Sequence, residues 1–285
     1  MQRSGNHIGA ILTTVSALAF IINDAAMKWA IQVIPLFELL FMRGLIAVPL
    51  ICLAMLVTRQ LIKTVSWADG FLIGWRLLAE IAISYFLLVA LKNMPISHVT
   101  LILQAAPLGL TLVAALMMGE KVSMRRWVAI LFGFVGVIII IRPGTAGFSP
   151  YAIFAVLTVL CIVFRDMVTR RLSPTIPSLP IAGLTTFVIL LMAMIMMPKT
   201  GSAMPTLSQL LIITIAAVAI LTAYLLSVKI MRVGDVGFVA QFRYTGIVWA
   251  VIIGFFVFGE VPDMWTVAGA LLIIATGIYT LRADR

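Results

Sequence analysis

MMGEKVSMRRW, residues 117–127, returns as VFGEVPDMW at residues 257–265, and the two copies differ in their charge. The first carries Lys121, Arg125 and Arg126; the second has no basic residue and carries Asp263. The offset is about 140 residues, half the chain, and a repeat of that size sets the architecture. Earlier in each half, NDAAMK (23–28) returns as RDMVTR (165–170), keeping an aspartate with a cation four residues later on the same helix face. Basic loops stay on the cytoplasmic side of a membrane, so the two Gly-Glu turns belong on opposite sides and the second half enters upside down.

Composition places the chain in a membrane. Hydrophobic residues make up 63% of its 285 positions and charged residues 11%, whereas soluble domains carry about 25% charged residues. Apolar segments of about 20 residues, each long enough to cross a bilayer as a helix, recur from end to end. Backbone polar groups must be satisfied within lipid and strand-like alternation is absent, which leaves helices. Breaks at Pro, Gly, Asn and charge clusters predict ten spans: 7–31, 36–57, 67–91, 96–118, 126–141, 150–168, 178–197, 207–230, 236–258 and 264–281. The expected fold is therefore an all-α integral membrane protein of ten transmembrane helices. Its two inverted five-helix repeats, residues 1–145 and 146–285, surround a central cavity.

With the N-terminus inside, the inner segments hold most of the basic residues, Arg59, Lys63, Arg170, Arg171 and Arg232 among them, while the outer ones hold Lys28, Lys92, Arg142 and Lys199. Both termini are expected in the cytoplasm of a bacterial cell, the chain crossing the inner membrane many times. The net charge of +10 faces anionic membrane lipids in these loops and calls for no nucleic acid. Cys52 and Cys161 fall within spans and read as packing residues, without metal-ligand spacing. The first span continues past signal-peptide length and lacks a cleavage site, so it is expected to be retained.

The chemistry is expected where charge meets oil. In GWRLLAEIAISYF (74–86), Glu80 lies near the centre of the third span and Arg76 one turn earlier on the same face. A charge at that depth costs about 2.5–3.5 kcal/mol on insertion scales, so it faces protein or a water-filled cavity. A structural ion pair and a solute site both fit the pair alone. Arg43 in the second span and Arg243 in the ninth favour the solute site; against Glu80 and the shallower Glu38 they predict a positive cavity suited to an electron-rich solute. Gln104, Gln241 and Tyr244 are candidate orienting groups, and mid-span Pro107 is a candidate hinge because it removes a helix hydrogen bond. Asp24 with Lys28, and Arg165 with Asp166, read as local pairs or gate elements at the outer and inner ends. Trp249 reads as packing or solute contact, and His98 as a hydrogen-bonded residue near the outer end of the fourth span.

The paired Gly-Glu turns, FMRGLIAVPL (41–50), GVIIIIRPG (136–144) and FRYTGIVWAVIIGFFVFGEVPD (242–263) resemble the EamA-type branch of the drug/metabolite transporter superfamily. The resemblance spans nearly the whole chain. It implies ten helices in two inverted repeats, a cavity lined mainly by helices 1, 3, 4, 6, 8 and 9, and peripheral helices 5 and 10. It also implies that Arg76, Glu80, Gln104, Arg243 and Tyr244 reach the cavity. RRWVAILFGFVGVIIIIRPG (125–144) and the GEVPD turn look most like the subgroup with riboflavin and S-adenosylmethionine uptake proteins and carboxylate carriers, whose members often have proline where this chain has Gln241.

The expected function is secondary transport of a small polar metabolite, anionic or zwitterionic, by alternating access. Proton coupling or exchange supplies the energy, since no GxxxxGK[ST] loop is present. A monomer is expected because one chain holds both repeats. No cofactor, metal or catalytic residue is assigned. The alternatives are an intramembrane enzyme acting on a lipid phosphate, for which no nucleophile–base pair or HExxH motif is present, and a non-transporting structural protein.

Overall fold

The computed structural model describes residues 2–60, 64–118, 123–145, 147–197, 205–230 and 241–282. The helices are α1 (Gln2–Ala30), α2 (Leu36–Thr58), α3 (Trp67–Asn93), α4 (Ile96–Leu103), α5 (Ala106–Met118), α6 (Met124–Ile141), α7 (Ala152–Arg170), α8 (Ser178–Met196) and α9 (Leu207–Ile230). After a 3-10 turn at Gln241–Tyr244 come α10 (Thr245–Phe258) and α11 (Met264–Arg282). No strand occurs among the described residues.

Among the described residues eight segments are long and apolar enough to cross a membrane, and Trp127–Ile141 and Met264–Thr280 are shorter apolar helices. Their outer surfaces are those of a lipid-embedded protein, with Leu56, Ile195 and Phe256 exposed. Inside, four threonine hydroxyls are satisfied without water: Thr13, Thr158, Thr186 and Thr280 each donate to the carbonyl four residues earlier at 2.7–2.9 Å, whereas Thr185 Oγ1 is buried without a partner.

Two expected spans are not continuous helices. The fourth breaks at Gln104 and Ala105, where the ladder tightens to Ala105 N–Ile102 O, 3.0 Å, before α5 resumes. Pro107 is the cause, having no N–H to continue the α-helical pattern. The ninth, over its described part, runs as a 3-10 turn through Tyr244 and only then as an α-helix; its expected start at 236–240 lies outside the described residues. Counted back from the glutamate of each Gly-Glu turn, Gln104 and Tyr244 hold the same place. The two breaks touch, Gln104 Nε2 donating to the Arg243 carbonyl at 3.1 Å.

Exchanging the halves maps the packing pairs onto one another. α1 packs along α9 as α7 packs along α3, while α2 pairs with α8 and α6 with α11. The α6–α11 contact is as close as backbones allow: a Cβ on Gly269 would lie 2.8 Å from the Gly136 carbonyl, and one on Gly136 would lie 3.1 Å from that of Gly269.

Candidate functional site

Glu80 is the central residue of α3 and is buried. Its Oε1 accepts from Arg76 Nη2 at 3.3 Å and from Arg165 Nη1, on α7, at 3.5 Å. Arg165 Nε also donates to Asp166 Oδ1 at 2.8 Å. Arg76 Nη1 donates to the Thr169 hydroxyl, which itself donates to the Arg165 carbonyl at 2.6 Å. Arg76 and Glu80, one turn apart, meet Arg165 and Thr169, also one turn apart, because α3 and α7 lie side by side.

From the other side α1 and α2 contribute. Asn23 Nδ2 donates to Asp24 Oδ1 at 2.9 Å, and Arg43 Nη1 donates to Asn23 Oδ1 at 3.5 Å. Arg43 is in electrostatic reach of Asp24 and Glu80. Tyr224 of α9 stands among Glu80, Arg165, Arg43 and Arg76, its ring meeting Phe20 edge-on at 6.1 Å.

The cluster thus holds Arg43, Arg76 and Arg165 against Asp24, Glu80 and Asp166. Among the described residues three cations face three carboxylates, where the sequence led to the expectation of a positive cavity. Arg243 does not join them: its side chain is exposed and its carbonyl is what Gln104 holds. Arg165 and Asp166 belong to the cluster rather than to a separate pair at the inner end. Two N–H groups in it, Arg43 Nε and Arg76 Nε, are buried and have no hydrogen-bond partner. Orphaned buried donors cost about 1–3 kcal/mol each, so they mark where an acceptor is missing.

Lys28 does not pair with Asp24. It is buried at the end of α1, where its ammonium meets Glu260 Oε1 at 3.2 Å and donates to the Leu91 carbonyl at 2.9 Å and to that of Met94. The Phe258 ring lies beneath it, 5.4 Å from nitrogen to centroid. The carbonyls closing α3 have no helical partner and accept a cation, which draws the long side chain away from its neighbour one turn back. Glu260 Oε2 accepts the Ile96 N–H at 2.8 Å, capping α4 where Pro95 has no side-chain oxygen to offer. The Gly-Glu turn makes this possible: Gly259 takes φ +65° and Glu260 N bonds back to the Gly254 carbonyl at 2.9 Å, folding the carboxylate under the helix end.

Next to this latch Arg142 is bonded to Asp263, whose Oδ1 also takes the Thr266 N–H and hydroxyl, each at 2.8 Å. The Arg142 guanidinium holds the Asp263 carboxyl well below the usual carboxylate range, with Thr266 assisting. Since the ionised carboxylate only accepts, Thr266 donates its one hydroxyl proton to it. The contact of that hydroxyl with His98 Nε2, 2.8 Å, therefore has histidine as donor. At the other end of the bundle Asp69 joins Ser66 to Ser173, accepting the Ser173 N–H at 3.0 Å and its hydroxyl at 2.8 Å.

Tyr244 is buried against α11, where a Cβ on Gly277 would collide with its hydroxyl. Gln241 is partly buried and makes a contact of its own. Trp249 Nε1 is buried without a hydrogen-bond partner. A groove of about 430 Å³ opens sideways between α1 and α9, lined by Val15, Leu18, Ile22, Thr214, Val218 and Thr222. No residue of the charged cluster lines it, and its threonines bond back to their own helix. No grouping of three or more His, Cys, Asp or Glu that could hold a metal occurs among the described residues.

An all-helical chain of many apolar spans with a buried ion cluster is a polytopic membrane protein built around internal charge. It belongs to the EamA-like transporter family, which it matches twice, over residues 7–142 and again over residues 149–282. Among curated relatives it is similar to the S-adenosylmethionine uptake transporter of Rickettsia bellii, 24% identical over 193 residues that cover 67% of this chain and 65% of that protein. It is similar over nearly full length to the pseudopaline exporter of Pseudomonas aeruginosa, 26% identical with 97% of each chain covered. The riboflavin transporter of Vibrio cholerae is 28% identical, covering 95% of this chain and 92% of that one. One protein of known crystal structure has the same fold, with a TM-score of 0.66, 19% identity and 100% of both chains covered.

Proposed function

We propose that this chain is a secondary transporter moving a small polar organic metabolite, anionic or zwitterionic, across the bacterial cytoplasmic membrane by alternating access. The observation that carries this reading is the buried, charge-balanced cluster in which Arg43 and Arg76 each keep a donor unmet. A carboxylate or other oxyanion on the solute supplies the missing acceptor, and Asp24 or Asp166 receives a positive group where the solute has one.

The double family match and the exchange of packing pairs support two five-helix repeats, residues 1–145 and 146–285, inserted with opposite orientation and rocking about a midplane site. The paired breaks at Gln104 and at Tyr244 give each repeat a place to bend, Pro107 serving as hinge in the first. The charged loops support cytoplasmic termini, and the presence of both repeats in one chain supports a monomer. Relatives named for uptake and for export share this fold family, so direction follows from the gradient that drives the carrier.

The test is flux into liposomes holding purified protein, beginning with S-adenosylmethionine, riboflavin and pseudopaline and extending to amino acids and carboxylates. A solute crosses unaltered with the parent, and Arg76→Ala lowers that flux while remaining folded by size-exclusion chromatography and thermal unfolding. Equal flux in Arg76→Ala refutes the site, and chemical conversion of the solute refutes transport.

A further inference from the structure

Within the cluster the carboxylates are not held equally. Asp166 takes a short bond from Arg165 Nε, 2.8 Å, and Asp24 a short one from Asn23, 2.9 Å. Glu80 has its two cations at 3.3 and 3.5 Å, both on one oxygen, well beyond the roughly 2.7–2.9 Å of a strong charge-assisted bond. Arg76 and Arg165 are meanwhile anchored elsewhere, by Thr169 and Asp166, and stay in place without Glu80. Glu80 is thus the acid whose two cations are both held at long range on one oxygen, where an entering oxyanion competes for them, and its side chain is 9% exposed against 36% for Asp166; Asp24, by contrast, is hydrogen-bonded to the neutral Asn23 amide.

We infer that an oxyanion entering the cluster displaces Glu80 from Arg76 and Arg165, and that Glu80 takes up one proton as it leaves them. The inference rests on the transport reading above and adds its coupling ion. Facing Glu80 are Arg76 on its own helix, Arg165 and Asp166 on α7, Arg43 on α2, Asp24 on α1 and Tyr224 on α9. Among the described residues the set balances, three cations to three anions. A bound monoanion leaves one negative charge in excess inside an apolar bundle, where an unpaired charge costs several kcal/mol. Asp24 and Asp166 keep their partners, and Tyr224 as a neutral phenol has no charge to give up, so one proton on the freed Glu80 restores neutrality. The proton enters from the aqueous side that supplies the solute and leaves with it on the other. For a monoanion the cycle moves no net charge, so a pH gradient drives it and a membrane potential does not.

Proton uptake on oxyanion binding tests this without knowledge of the natural solute. Methanesulfonate is a suitable probe because it remains a monoanion near neutral pH and cannot itself bind or release protons there. It is added to purified protein in weakly buffered detergent solution with a pH indicator, and its binding is followed in parallel by thermal shift. The parent is expected to take up close to one proton per chain, saturating along with the thermal shift, whereas chloride at equal ionic strength gives neither signal. Glu80→Gln is expected to retain the thermal shift and lose the uptake. The parent measurement decides the matter even if that variant does not fold. Saturable binding with no proton taken up overturns the coupling, as does unchanged uptake in folded Glu80→Gln; both leave vesicle flux, and with it the transport reading, intact. No thermal shift with methanesulfonate in the parent also overturns the displacement.

Discussion

Glu260 and Glu80 are both carboxylates bonded to cations inside an apolar bundle, and their surroundings differ in completeness. Around Glu260, Lys28 has a carboxylate, two helix-end carbonyls and an aromatic face, and the second oxygen of Glu260 caps α4. Around Glu80 the ion pairs are long and two guanidinium N–H groups nearby have no partner. A saturated network has nothing left to offer a ligand and holds helices together; an unsaturated one has been left short of an acceptor. The first joins α1, α3, α4 and the turn after α10, and the second lies between α3 and α7, with side chains of α1, α2 and α9 facing it.

The largest effect is expected where the saturated network is cut. Lys28→Met removes the cation, leaves Glu260 and two helix-end carbonyls short of a partner in a buried setting, and destabilises the fold by about 3–5 kcal/mol, the usual cost of breaking a buried pair from one side. Unfolding in denaturant or by heat measures it, and Lys28→Met combined with Glu260→Gln recovers part of the loss. A Lys28→Met protein as stable as the parent removes the distinction between the two regions.

Arg76→Ala tests the opposite prediction in the Glu80 cluster. Loss of charged hydrogen bonds worth about 1.5–3 kcal/mol lowers solute flux by roughly 10–100-fold. Unfolding temperature changes less than in Lys28→Met, since Glu80 retains Arg165. If stability falls as far as in Lys28→Met, the Glu80 cluster is as structural as the Lys28–Glu260 network.

Gly259→Ala separates the turn from the charge. A side chain at φ +65° costs about 1–2 kcal/mol in the left-handed region, and Gly259→Asn, which tolerates that conformation better, costs less. Both are read by thermal unfolding. An alanine variant with no loss means that Glu260 reaches Lys28 and Ile96 without help from the turn.

Sequence carried the helices well because the lipid-facing pattern is local: the long apolar runs and their Pro, Gly and charge breaks need no partner to be seen. The Arg76–Glu80 pair was legible for the same reason, being one turn apart on one helix. What escaped were contacts decided by which helix lies beside which. Arg165 and Asp166 read as a pair at the inner end until α7 lies along α3, and Asn23 and Tyr224 carry no signal at all without α1 and α9 in place. The expectation of a positive cavity leaves out Asp24 and Asp166, which come beside Glu80 through α1 and α7, and includes Arg243, whose side chain is exposed. Lys28 was paired with Asp24 by helical spacing alone, and the free carbonyls closing α3 outbid that neighbour. The repeated Gly-Glu motif was visible as a repeat, but its work as a helix cap joined to a buried lysine needed three segments brought together.

The smallest expected effect concerns the neighbour of the Lys28–Glu260 network, where Asp263 joins Arg142 and Thr266 and where Arg142 Nε is itself buried without a hydrogen-bond partner. Its carboxyl is held below the ordinary range chiefly by the Arg142 guanidinium. A depressed folded-state value stabilises the fold above the unfolded carboxylate value of about 3.9 and loses that contribution as pH falls through the lower folded value. The difference in unfolding temperature between the parent and Asp263→Asn is therefore expected to stay constant from neutral pH down to about pH 5, and to shrink only below about pH 4. Because the Asp263 side chain is 48% exposed, solvent screens the pair and the difference is small throughout. A difference that already closes between pH 7 and pH 5 would mean that another titrating group governs the Asp263 contacts. The nearest is His98, which meets the same network by donating to Thr266, and His98→Gln would then abolish the early change while leaving the acid limb in place.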